Sequence, residues 1–217
     1  MAGIKSGDVI GTAYALSDLG MVALWQGDFA QAQRWFEESL QLQGSIGGPD
    51  PMILMHLGEL ALRQGDYERA RAYFERGLTV SQETGITVIA LWSTAYLGYV
   101  YLREGEEACA QETFAEVQQR FRERGSKIGV VYALEGLASL AVHQHEFERA
   151  VRLYAWADAA RATIGDQRPH VEQQEVDQDY VVIRAQLTAE AIAQAHREGC
   201  AMTMEQAVAY AWEQRIV

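Results

Sequence analysis

The chain has 217 residues, 49% hydrophobic and 22% charged, the balance of a globular protein able to bury a large core. A formal net charge of −12, with no cluster of Lys and Arg, excludes DNA, RNA or an anionic membrane as a partner of this chain alone. Its two cysteines, Cys109 and Cys200, stand far apart without a motif, which excludes a disulfide scaffold.

Only three prolines, among many Ala, Leu, Glu, Gln and Arg, favour helix throughout. Asp8 is placed to cap a first helix running to about Trp25, with Asp8 and Asp18 interrupting any signal-peptide pattern. There is also no run of about 18 apolar residues to span a membrane, so a cytoplasmic protein is expected. A second helix follows the Gly27 turn, over about 28–43, and Gly44-Ser45-Ile46-Gly47-Gly48-Pro49 is the most flexible connection. Asp50-Pro51 restarts the chain with an N-cap and a first-turn proline, predicting helices over about 51–64 and 67–82. Gly85 closes that pair and Thr87 is expected to cap the next helix, to Glu104, with a partner over about 107–122 that buries Cys109. Gly125-Ser126 repeats the stop and cap before helices at about 127–143 and 147–163. Helices over about 170–187 and 189–198 follow, the second capped by Thr188. Gly199 reads as a helix stop, and Thr203 with Gln206 as a capping box for a final helix. No window alternates with period two, so no sheet is expected.

A repeat underlies these elements. Gly27-Asp28 is followed by Ala32 and Phe36, Gly65-Asp66 by Ala70 and Phe74, Gly105-Glu106 by Ala110 and Phe114, and His145-Glu146 by Ala150 and Tyr154. The four anchors are separated by 38, 40 and 40 residues, a period that signals stacked helical hairpins. Seven positions before each anchor stands Gly20, Gly58, Gly98 or Ala138. A mid-helix glycine costs about 1 kcal/mol against alanine, so its recurrence implies a packing gain. The expected arrangement sets each glycine against the alanine five past the anchor, with the aromatic filling the gap to the next pair. Each hairpin buries its apolar face only by stacking, which requires several copies.

These residues resemble the tetratricopeptide repeat, with Leu-Gly in the first helix, Gly at the turn, then Ala and an aromatic in the second. The resemblance covers residues 13 to about 163. It departs from the family in its longer period and in lacking the proline that usually ends the second helix. The longer copies are similar to repeats of bacterial signal-transduction ATPases and LuxR- or AfsR-like transcriptional regulators. Leu153-Tyr154-Ala155-Trp156-Ala157-Asp158-Ala159-Ala160-Arg161, then Ile164-Gly165 and Pro169, resemble the tail of such regulators, as does Glu198-Gly199-Cys200-Ala201-Met202-Thr203-Met204-Glu205-Gln206-Ala207-Val208. The resemblance implies an all-α right-handed superhelical solenoid of antiparallel helix pairs, about 10–11 helices. Four hairpins would occupy residues 1–165, and a degenerate fifth unit with capping helices 166–217, in one continuous domain. No phosphate loop and no basic recognition helix occurs, so nucleotide and DNA binding are not expected here.

The inner surface of such repeats is lined by first helices. On that register the candidate groove carries Trp25, with Met21 and Leu24, then Met52, Met55, Glu59 and Arg63, with Leu62. Trp92, Tyr99 and Arg103 follow, then Tyr132, Glu135 and His143. Aromatics, Met and Arg suit an adaptable interface, and the same side chains also suit plain packing between first helices. A protein or peptide segment is the expected partner, with a small metabolite or self-association as a homodimer through the first or last helices as alternatives. His143 and His145 lack a third convergent ligand for zinc, and Glu172, Glu175, Asp177 and Asp179 read as a solvated face rather than a catalytic pair. No catalytic residue, metal or cofactor is expected.

Overall fold

The computed structural model describes residues 6–44, 47–48 and 50–212. Ser45, Ile46 and Pro49 of the glycine-rich connection lie outside the described residues. Eleven helices and no strand occur among the described residues: α1 Ser6–Gln26, α2 Phe29–Gly44, α3 Pro51–Arg63, α4 Tyr67–Thr84, α5 Thr87–Arg103, α6 Glu107–Glu123, α7 Lys127–His143, α8 Phe147–Ile164, α9 His170–Gln186, α10 Ala189–Ala201 and α11 Met204–Trp212. The fold is all-α and built of tetratricopeptide-like helix pairs. Two compact units hold these helices. The first contains α1–α5 and Pro169–Val171, and the second contains α6–α8, the rest of α9, and α10 and α11.

Each turn of the repeat has a local cause. The anchors Gly27, Gly65 and Gly105 have φ of 84°, 78° and 78°, the left-handed region that glycine enters without strain. His145 takes the same conformation, at φ 60°, as the one non-glycine residue with positive φ among the described residues. At Gly27 and Gly65 the turn is locked by paired bonds to the preceding helix, as in Asp28 N to Ala23 O and Asp66 N to Ala61 O, each 2.9 Å. The aspartate after the glycine then caps the returning helix, its carboxylate accepting from Gln31 N and from Arg69 N at 3.1 Å. Glu106 and Glu146 take that place in the later copies and make no side-chain cap bond.

Several starts and stops follow the sequence. Asp50 caps α3 through Met52 N at 2.8 Å, with Pro51 in the first turn. Thr203 and Gln206 bond reciprocally, at 2.8 and 3.2 Å, ahead of α11. Three others differ. α1 begins at Ser6, so Asp8 lies inside its first turn and not at the cap position. Ile86, not Thr87, holds the N-cap position of α5, because Gly85 ends α4 in the left-handed region and Thr87 N bonds back to Gly85 O. Gly199 stops nothing: it is buried within α10, where an added Cβ would stand 2.2 Å from Arg152 O. It permits α10 to press on the backbone of α8. Cys109, in α6, is exposed rather than buried.

The expected glycine–alanine contact is also replaced. A Cβ on Gly20 would lie 2.4 Å from Phe36, and one on Gly58 2.6 Å from Phe74. Gly20 and Gly58 therefore each open a notch for the aromatic ring of their own hairpin. The ring reaches the next hairpin as well. Phe36 stacks on His56 with centroids 5.5 Å apart, and Phe74 on Tyr96 at 5.4 Å. In the second unit Phe114 of α6 sits in a notch at Gly136 of α7. His56, Tyr96 and Gly136 are the same repeat position, nine before the following anchor. A ring from one copy thus meets one fixed place in the next.

Candidate functional site

Within the first unit α1 touches α3 and α3 touches α5, so first helices form one layer. Three repeat positions, 13, 6 and 2 before the anchor, recur on one side of these helices. They bring out Tyr14, Met52 and Trp92; then Met21, Glu59 and Tyr99; then Trp25, Arg63 and Arg103. Spacings of four, seven and eleven keep each set on one helix face. Trp25 is 39% exposed, and Met21, Met52, Met55, Trp92 and Arg103 are half-buried. Leu24 and Leu62 are buried.

Glu59 and Tyr99 lie beneath this face, at 2% and 8% exposure. Arg63 folds over Glu59 as an ion pair of 3.6 Å with both side chains almost fully buried. Tyr14 belongs to the same register but was absent from the sequence candidates, although its place 13 before Gly27 matches Met52 and Trp92. Its hydroxyl donates to Asp50 at 2.7 Å and ties α1 to the start of α3.

Tyr132, Glu135 and His143 belong to the second unit. Tyr132 is buried, and His143 is exposed in the last turn of α7. Glu135 is the centre of a buried charge network. Its carboxylate accepts from Arg161 Nε at 2.8 Å and Nη2 at 2.7 Å, a two-pronged pair, and also from Arg168. Arg161 reaches Asp166 and Glu172, and Arg168 reaches Asp158 at 2.7 Å and Gln173 at 2.8 Å. Burial works against both guanidinium charges, but the carboxylates around them, Glu135 foremost with Asp158, Asp166 and Glu172, together outweigh it and raise their pKa values. Two members of the expected solvated helix face are drawn inward. Glu172 joins this network, and Asp179 is buried, accepting from the Tyr154 hydroxyl at 2.5 Å. Among the described residues no group of three His, Cys, Asp or Glu side chains could hold a metal ion, and no helix is long and apolar enough to cross a membrane.

Residues 11–83 match the tetratricopeptide repeat family model. The match covers most of the α1–α2 and α3–α4 hairpins, in both of which a glycine notch and an aromatic ring pair within the hairpin. Over nearly the whole length, the chain is similar in fold to the crystal structure of BtubC (BKLC) from P. vanneervenii. The TM-score is 0.58 at 18% sequence identity, covering 94% of this chain and 78% of that one. No curated protein matches the chain. Tetratricopeptide repeats generally mediate protein–protein interaction and are typically non-enzymatic.

Proposed function

We propose that the α1–α3–α5 face of the first unit binds a segment of a protein partner. The observation that carries this reading is the threefold recurrence of Trp, Met, Tyr and Arg at matched positions of adjacent helices, the first two of which lie in the part of the chain that matches the repeat family. A periodic face of this kind suits a chain segment lying across the helices, with side chains repeating along it. Trp25, Met52, Met55, Trp92 and Arg103 make the contact, and Glu59, Arg63 and Tyr99 support it from below. Met and Trp supply adaptable apolar area, and Arg103 favours an acidic residue in the segment. In the same reading the chain is the C-terminal sensor or interaction part of a bacterial signal-transducing transcriptional regulator acting in the cytoplasm, supported by the resemblance of 153–161 and 198–208.

Peptide display against the intact chain tests the contact. Enriched peptides should lose binding to a Trp25→Ala/Trp92→Ala variant that keeps the parent's helical content and melting transition. Peptides that bind both proteins equally would remove the face from consideration.

Self-association is favoured by a separate observation. From Val9 to Gln26, α1 carries one charged residue, Asp18, yet Ile10, Leu19 and Val22 are 44%, 50% and 47% exposed. A helix apolar all round is normally covered, and in a chain of net charge −12 this face is where two copies meet least repulsion. Sedimentation equilibrium should show a dimer that Leu19→Glu/Val22→Glu dissociates. A monomeric parent at high micromolar concentration would end this reading.

A further inference from the structure

The second unit contains a cleft of about 240 Å³ between α7, α8 and the α10–α11 link, separate from the face proposed above. Its floor is apolar: Val131 and Trp156 are 1% and 5% exposed, with Ile164 beside them. Its lip is made by Met202 and Met204, half-buried side chains that adapt to differently shaped guests. The backbone at Met202 is extended, which turns the chain between α10 and α11 and brings both methionines to the same opening. Sites for drug-sized molecules occupy about 300–1,000 Å³, so this cleft suits something smaller.

Among the described residues Lys127 is the one charged side chain lining the cleft. It is one of two lysines in a chain of net charge −12, and it forms no ion pair among the described residues. Its position in the first turn of α7 is unfavourable to the helix dipole, so its charge does not serve the helix. Thr163 lies on the same wall, its hydroxyl donating to Ala159 O at 2.9 Å and keeping its lone pairs toward other donors. We propose that this cleft binds a small carboxylic acid with an apolar body, the hydrocarbon part seated on Trp156 and Val131 and the carboxylate at Lys127. It neither requires nor excludes the protein-binding face of the first unit.

Cys200 lines the cleft and is exposed, its thiol directed to Ala155 O at 3.6 Å, whereas Cys109 is exposed on α6 outside it. The two thiols make an internal comparison within one molecule. The intact chain is treated with iodoacetamide, with and without octanoate or 3-phenylpropionate, and the two cysteine peptides are quantified by mass spectrometry. A bound acid at ten times its Kd should slow alkylation of Cys200 by about tenfold and leave Cys109 unchanged. Lys127→Gln, a surface change that leaves the core intact, should raise the half-protecting concentration by about threefold to fivefold. The corresponding amides should protect as weakly in the parent as the acids do in that variant. Unchanged alkylation of Cys200, equal slowing of both cysteines, or equal protection of parent and Lys127→Gln would each overturn the proposal. Ala159→Phe, which fills the cleft from its wall, should abolish the protection, and protection that survives it overturns the proposal as well.

Discussion

A Cβ placed on Gly58 would stand 2.6 Å from Cε1 of Phe74, well inside the contact distance of two carbons. The ring it would strike is fully buried and stacks in parallel with Tyr96, so it has no free direction in which to withdraw. Gly58 therefore gives up helix propensity for ring packing. Gly58→Ala should lower stability by up to about 2 kcal/mol, an overpacking cost of about 1–3 kcal/mol less the roughly 1 kcal/mol gained in propensity. Urea unfolding checks this, and a variant as stable as the parent would show that the notch is not what holds the hairpin.

His145 adopts at φ 60° a turn that glycine fills in the other three copies. An L-residue there is held in strain by its surroundings. His145→Gly should raise stability by about 0.5–1 kcal/mol, after loss of the edge contact with Phe147, whose ring centroid lies 5.7 Å away. A thermal melt should move upward by a few degrees, on the order expected for a domain of this size.

His56 is buried against Phe36 and shares a 3.1 Å hydrogen bond with Ser17 Oγ. Burial pushes its pKa down to about 4, against a smaller opposing pull from Asp50. The unfolded chain, with an ordinary value near 6.5, therefore binds the proton first. Stability from this group is complete above about pH 6.5 and is lost as pH falls toward 4, on the order of 3 kcal/mol in all. His56→Phe should flatten that part of the curve. The check is the difference in urea midpoint between pH 7.5 and 4.5, parent against variant.

Glu135 is the shared partner of two guanidinium groups whose side chains are 6% exposed. Removing it strands buried charge, and Asp166, Glu172 and Asp158 compensate only in part. Glu135→Ala should cost about 3–5 kcal/mol. Glu135→Leu combined with Arg161→Met and Arg168→Met should cost less, because the carboxylates that then lose a guanidinium, Asp158, Asp166 and Glu172, are all more exposed than the two guanidinium groups. Equal losses in the two proteins would mean that packing, not charge pairing, dominates there.

The helix boundaries were legible because they are written locally. Gly27-Asp28, Asp50-Pro51, Ser126 and Thr203 with Gln206 each fix a turn or cap through neighbours a few residues away. What Gly58 faces was not legible, since spacing places glycine, alanine and phenylalanine on one side of the hairpin without saying which touch. Gly199 was misread for the same reason: glycine ends helices and also admits a crossing backbone, and only the position of Arg152 separates the two. Glu135 looked like a groove residue from its repeat position alone. Its partners, Arg161 and Arg168, come from outside that register, where the sequence carries charges but not their pairing. Tyr14 could have been found, because it shares the register of Met52 and Trp92.

The meeting of Phe36 with His56, and of Phe74 with Tyr96, sets a rule for changing the length of this protein. Deleting residues 56–95 removes one whole period and joins the start of α3 to the end of α5 in register. Phe36 would then stack on Tyr96, a junction made of parts already matched to one another. Shortening or extending the chain by complete modules thus leaves every seam chemically familiar, whereas an insertion of any other size must invent a new one.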